Sequence, residues 1–203
     1  MEQTLVVAHD LFAARGYAAV TMDEVAAAVG VTKPLLYNYF GNKESLYVAC
    51  MERAGDALTA AIEEAVVASD GPAEALGAGL RAFFFFLDAD RSAWAVLFDE
   101  TQPHAGVVAE RVASYRGAIA EMVAGALLGQ LPPKRREAAR VEVEALSAAL
   151  LGSAEALARW WLQTEAVSAE QAAELLISTV EPGLRARSAP KSSSAQPRKG
   201  DRP

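Results

Sequence analysis

One cysteine and two histidines in 203 residues leave little material for several kinds of chemistry. Cys50 has no partner for an intramolecular disulfide, which fits a reduced, cytoplasmic setting, and its expected role is that of an inert core thiol. No set of paired Cys and His ligands is available for a metal, so neither a metal nor a cofactor is expected. His9 and His104 lie far apart in the chain, and no nucleophile, base and acid can be assembled around either, so an enzyme is not expected. The longest aromatic run, "FFFFL" at 83–87, is far below membrane-span length. The N-terminus, "MEQTLVVAHDLF", lacks both a basic stretch and a sustained apolar one, so neither a secretory signal nor a membrane span is expected. Runs of β-branched residues are also scarce, which argues against sheets.

Alanine dominates, and glycine and proline fall mostly at helix-length intervals, so the chain reads as all-α. Leu5, Ala8, Leu11 and Phe12 keep helical spacing over residues 2–15, and Gly16 closes the segment. Thr21 and Glu24 stand three apart, as in a capping box, and open a short helix ending at Gly30. Thr32 precedes Lys33-Pro34, and Pro34 suits a first helical turn, where no amide is needed. Gly41-Asn42 ends this third helix, and Asn42 caps a long fourth one from Lys43 to the Asp70-Gly71-Pro72 stop. Two short helices joined by Gly30-Val31-Thr32, with another packed beneath, make a helix-turn-helix pattern. Further helices are expected before Asp88-Ala89-Asp90, around Trp94–Phe98, up to Gln130, over 134–163 and over 169–181, the last opened by Ser168 and Gln171 and stopped by Pro182-Gly183.

The net charge of −7 is unevenly spread. The tail from Arg185 on carries Arg185, Arg187, Lys191, Arg198, Lys199 and Arg202 against Asp201 alone, which leaves the preceding body strongly acidic. Its composition predicts a disordered basic segment over 185–203 that either touches DNA or is only solvated. Through residue 50, Arg15, Lys33 and Lys43 face Glu2, Asp10, Asp23, Glu24 and Glu44, so non-specific affinity for nucleic acid should be low.

Residues 8–47, "AHDLFAARGYAAVTMDEVAAAVGVTKPLLYNYFGNKESLY", resemble the DNA-binding region of the TetR family of bacterial transcriptional regulators. The likeness rests on Leu11-Phe12, Gly16-Tyr17, Thr21, Val25-Ala26, Gly30-Val31-Thr32, Leu36-Tyr37-x-Tyr39-Phe40 and Lys43-Glu44-x-Leu46 in matching order and spacing. It implies an all-α homodimer with a three-helix headpiece over 1–47 and a C-terminal helical ligand-binding and dimerisation domain over 48–184. It also implies a partner, double-stranded operator DNA, and a small-molecule effector. Thr21, Thr32, Tyr39 and Lys43 match family positions that hold DNA phosphates. Lys33, Pro34, Tyr37 and Asn38 are candidates for base edges: Asn and Lys hydrogen-bond there, and an apolar edge meets a thymine methyl. Each has a plainer alternative: Thr21 as a cap alone, Tyr37 as helix packing, Lys43 as a solvated charge.

For the effector, Phe84, Trp94, Phe98, His104, Tyr115, Met122 and Trp160 form the candidate set, mostly apolar with a few polar tips, though residues of this kind also build cores. The dimer face is expected on the last two helices, from Leu146, Leu150, Gly152, Ser153, Leu157, Leu175, Leu176 and Val180. The function so expected is a ligand-responsive regulator, a repressor released from a palindromic operator by a largely apolar effector. The alternative is a helical small-molecule-binding protein whose headpiece no longer binds DNA.

Overall fold

The computed structural model describes residues 1–98, 101–164 and 166–188, in which there are nine helices and no strand. The order is α1 Glu2–Ala19, α2 Met22–Val29, α3 Lys33–Phe40, α4 Lys43–Val67, α5 Pro72–Ala89, α6 Arg91–Leu97, α7 Val107–Gly129, α8 Pro133–Thr164 and α9 Ala169–Ser188. None of the described helices is long and apolar enough to cross a membrane.

Local chemistry sets the starts and stops at the N-terminal end. Gly16 adopts φ 76°, which a side chain would resist, and there α1 bends before one further turn to Ala19. At α2 the capping box is complete: the Glu24 amide donates to Thr21 Oγ1 at 3.3 Å, and the Thr21 amide donates to Glu24 Oε2 at 2.8 Å. Gly30, at φ 77°, ends α2 in the left-handed conformation. Pro34 sits in the first turn of α3, and the Ser45 amide donates to Asn42 Oδ1 at 2.8 Å to cap α4. Ser168 and Gln171 form the second capping box as expected, with reciprocal bonds of 2.9 and 3.2 Å.

The far end of α9 differs from expectation. The helix does not stop before Pro182-Gly183; it runs through both to Ser188, so residues 185–188 of the expected disordered tail are helical. Pro182 removes one backbone hydrogen bond, yet Val180 and Leu184 on either side pack against the core, and tertiary burial outweighs the local penalty. The rest of the tail lies outside the described residues.

The headpiece is joined to the remainder by packing as well as by chain. Helix α4 runs unbroken across the 47/48 boundary, and α1 packs against both α4 and α6. At that junction Tyr47 is fully buried, edge-on to Phe12 and Tyr17 with ring centroids 4.9 Å away in each case. Its hydroxyl donates to the Val96 carbonyl of α6 at 2.7 Å. Cys50 is buried nearby and its thiol is pushed up to about 12 by burial, so thiolate chemistry is suppressed.

A second link is polar. His9 of α1 is 7% exposed, and its Nε2 lies 2.9 Å from Ser92 Oγ, which in turn donates to Asp90 Oδ1. Because an ionised Asp90 accepts only, the Ser92 proton points to it and His9 Nε2 must be the donor. Nδ1 is then an unprotonated, buried acceptor, and no partner reaches it. Burial lowers the His9 pKa below the ordinary value, against the opposing pull of Asp90 and Asp10 and with a smaller lowering by Arg53. A depressed histidine pKa means that the unfolded chain takes the proton first as pH falls. Stability is therefore expected to be full above about pH 6.5 and to decline below it. Ser92→Ala, which spares the Asp90 cap on α6, should cost about 1–3 kcal/mol by stranding His9 Nε2–H. Urea titrations of both proteins at pH 7.5 and 5.5 check this.

Candidate DNA-binding surface and effector cavity

Helix α3 is held by one face and presents the other. Leu36 is 1% exposed and Phe40 half-buried, whereas Lys33, Pro34, Tyr37, Asn38 and Tyr39 are all exposed. All four expected base-edge candidates therefore share one outward surface. Leu35, 41% exposed, lies there too. Leu36 pairs with Phe40 four residues on and faces the bundle, which leaves Leu35 turned out.

The basic groups are not idle in the free protein. Lys33 Nζ is 2.7 Å from Asp23 Oδ1, and that bond raises its pKa. Arg15 Nη1 is 2.8 Å from Glu24 Oε1, and this contact, with the hydrogen bonds from Thr21, holds the Glu24 carboxyl down to about 2. Lys43 Nζ donates to the Ala18 carbonyl at 3.3 Å and lies 4.3 Å from the centroid of the Tyr17 ring. An anion is thus not required to account for Lys43 at a helix N-terminus; a carbonyl and an aromatic face already serve. Partial burial lowers its pKa, opposed by Glu24. Each cation must loosen a protein contact before it can neutralise a phosphate.

The hydroxyls divide in the same way. Thr21 Oγ1 caps α2 and also donates to Glu24 Oε2 at 2.8 Å, so its proton is committed. The Thr32 side chain makes no cap hydrogen bond, and Tyr39 is 59% exposed. Of the four phosphate candidates, Thr32 and Tyr39 are the ones presented without such a commitment.

The seven effector candidates do not converge. Phe84 is fully buried, edge-on to Phe83 and Trp161. Trp94 stacks on Phe98 at 4.2 Å between centroids, and Trp160 lies 43% exposed on the outer side of α8. His104 is exposed in the segment before α7. Met122 alone among them lines an apolar cavity of about 50 Å³ enclosed by α4, α5, α7 and α8, with Ile62, Leu76, Leu80, Ala126 and Leu150 among its walls. Phe98 and Tyr115 line a smaller void of about 20 Å³ beside it. The Tyr115 hydroxyl donates to Asp56 Oδ1 at 2.6 Å, and burial followed by that acid pushes its pKa up. What hid the cavity walls from sequence is their blandness: small and aliphatic residues at helical spacing look the same whether they meet a neighbour or a void.

The expected dimer face also splits. Leu150 and Leu176 turn inward and are buried within the single chain, Leu150 against the cavity. Leu146, Leu157 and Val180 are half-buried against the core, while Gly152, Ser153 and Leu175 face out. The outward stripe of α8 runs through Val141, Ala145, Ala148, Gly152, Ala156 and Trp160, and Val141 is 77% exposed.

Comparison with known proteins follows the same division. Residues 5–50 match the family described as bacterial regulatory proteins, tetR family, and residues 72–181 match the tetracyclin repressor-like C-terminal domain. The HTH-type transcriptional activator FasR of Mycolicibacterium smegmatis is 36% identical over 97 residues, 48% of this chain and 44% of that protein, so the match spans less than half of its length. The crystal structure of a TetR-like transcriptional regulator from Rhodococcus sp. RHA1 is similar with a TM-score of 0.75 and 31% identity, covering 91% of this chain and 94% of the other. AibR, solved in complex with isovaleryl coenzyme A and operator DNA, has a TM-score of 0.67 at 21% identity, covering 88% of this chain and 96% of that one, a likeness of fold.

Proposed function

The chain belongs to the tetR family of bacterial regulatory proteins, and from that premise we propose that it is a homodimeric, cytoplasmic repressor released from a palindromic operator by a small, largely apolar effector. The observation that carries this reading is the outward face of α3, with Lys33, Pro34, Leu35, Tyr37 and Asn38 side by side on a helix anchored by Leu36. Residues 1–47 are the headpiece, and 48–184 hold the cavity and the dimer face. Two copies of α3 meet successive major-groove turns about 34–36 Å apart. Thr32 and Tyr39 bind phosphate directly and Lys43 does so after leaving the Ala18 carbonyl, while Lys33 reaches a base edge after leaving Asp23. Thr21 caps α2 and reaches a phosphate only by redirecting its proton.

Because α4 is one helix from the headpiece to the cavity wall, an effector that separates α4 from α5 and α7 also changes the spacing of the two headpieces. A coupling of about 1–3 kcal/mol is enough to move operator occupancy. AibR supports the pairing of an effector with an operator in this fold. FasR is named an activator, and transcription from the regulated promoter with and without protein decides the sign here. Selection from random duplexes by the purified protein should enrich a palindrome with half-sites one helical turn apart; no enriched motif would sink the reading.

The dimer is placed on the outward stripe of α8 together with Leu175 of α9. An added Cβ at Gly152 meets nothing within 4 Å in the single chain, so Gly152→Leu should leave the protomer folded. Across a close two-fold interface the side chain appears twice, with an overpacking cost of about 1–3 kcal/mol at each copy. Sedimentation is expected to show dimer association weakened by roughly thirtyfold or more, with unchanged helical content.

A further inference from the structure

We propose that a cleft at the junction of headpiece and body, separate from the cavity between α4, α5, α7 and α8, binds a small amino acid as its zwitterion, with the carboxylate on Arg53, the ammonium at Asp10 and His9, and an apolar side chain against Phe86 and Ala57. The cleft holds about 320 Å³, within the roughly 300–1,000 Å³ of a formed ligand pocket, so a molecule of this size fits without a wall moving. The site stands on its own residues and does not require that α3 read DNA. Three elements build it. Val6, His9 and Asp10 keep the spacing that puts them on one face of α1. Arg53 and Ala57 stand one turn apart on α4 with Ala54 beside them, and Phe86, Asp90 and Ser92 close the third side where α5 passes into α6.

The wall carries charge of both signs that the chain leaves unmatched. Among the described residues, neither the Asp10 carboxylate nor the Arg53 guanidinium makes a hydrogen bond or an ion pair, although both lie close enough to His9 to act on its charge. Arg15, Arg81 and Arg111, by contrast, each hold a carboxylate. Asp90 is partly committed, since its Oδ1 accepts from Ser92 Oγ and from the Ala93 amide. His9 adds a buried acceptor to the same wall: its Nε2 is taken by Ser92, and its Nδ1 has no partner. A buried acceptor left unpaired is costly, and a donor brought by a ligand removes that cost.

These groups select one ligand chemistry. A carboxylic acid alone would match Arg53 and meet like charge at Asp10 and Asp90. An amine alone would match the acids and leave Arg53 without a partner. A zwitterion answers both, and Val6, Ala54, Ala57 and Phe86 give its side chain an apolar surface to cover. Because the walls come from α1, α4 and α6, an occupant ties headpiece to body where His9 and Ser92 already join them.

The test is isothermal titration of the full-length protein, without DNA, with L-leucine and with its two halves: 3-methylbutylamine, which lacks the carboxylate, and 4-methylpentanoate, which lacks the ammonium. Leucine should bind about tenfold or more tightly than either half. Arg53→Gln and Asp10→Asn, both at exposed positions, should each weaken leucine about tenfold or more with helical content unchanged, and Arg53→Lys should recover part of the loss. Arg53→Gln should leave 3-methylbutylamine binding as it was, since the amine has no carboxylate for Arg53 to hold. His9 and His104 are the two histidines of the sequence, so nitrogen NMR of histidine-labelled protein resolves them: His9 Nδ1 should shift as leucine is added and His104 should not. Leucine bound no better than its halves, or with no movement of His9, overturns the assignment. So does leucine binding that ignores Arg53→Gln and Asp10→Asn, which would place it in the cavity of the body instead. Operator binding is measured separately, and its absence would defeat the regulator reading while leaving this site intact.

Discussion

Asn38→Ala and Tyr37→Ala are each expected to abolish selective operator binding while leaving the fold intact. Both side chains stand on the outward face of α3, and Tyr37 is 40% exposed, so truncation removes little packing. A good base-edge contact is worth about 1–3 kcal/mol of discrimination. In a symmetric dimer each contact is made twice, so the loss should reach about thirtyfold at the low end and roughly twenty-thousandfold at the high end. Residual binding should be weak, because the free headpiece keeps Arg15, Lys33 and Lys43 on its own acceptors and is net acidic. Anisotropy titrations against matched and scrambled duplexes, with thermal melts of each variant, separate this from unfolding. If Tyr37 only packs between helices, Tyr37→Ala will lower the melting temperature and affinity for both duplexes together.

Tyr47→Ala is expected to have the largest effect on stability. Tyr47 joins α1, α4 and α6, through Phe12 and Tyr17 on one side and the Val96 carbonyl on the other. Removing a fully buried aromatic ring costs about 3–5 kcal/mol, or roughly 10 °C in melting temperature for a chain of this size. Tyr47→Phe keeps the ring and strands the carbonyl, for about 1–3 kcal/mol. The pair also tests coupling. With the ring kept and the bond to α6 cut, Tyr47→Phe should bind operator normally but respond less to effector. Equal response in wild type and Tyr47→Phe would place the coupling elsewhere in α4.

The parts legible in the sequence were those fixed by local backbone chemistry. Pro34 at a first turn, Thr21 with Glu24, Asn42 before Ser45, and Ser168 with Gln171 each act within four residues, and each appears in the structure as its spacing implies. The outward set on α3 was equally legible, because Leu36 and Phe40 fix its rotation. What stayed hidden depends on residues far apart in the chain. Lys33 meets Asp23 and Lys43 meets the Ala18 carbonyl only after α1, α2 and α3 dock. Leu150 looked like a dimer residue and faces the cavity, since a 32-residue helix buries different stripes against different neighbours. Pro182 read as a stop because local penalties are visible in sequence and the burial of Leu184 is not.

The central claim is that the face of α3 reads DNA. Its most direct test is fluorescence anisotropy of the purified protein on a labelled duplex taken from upstream of its own gene, at two salt concentrations, with scrambled duplex as competitor. The account predicts saturable binding by a dimer that survives the competitor and weakens as salt rises. Binding equal for the two duplexes, or none at either salt concentration, would contradict it.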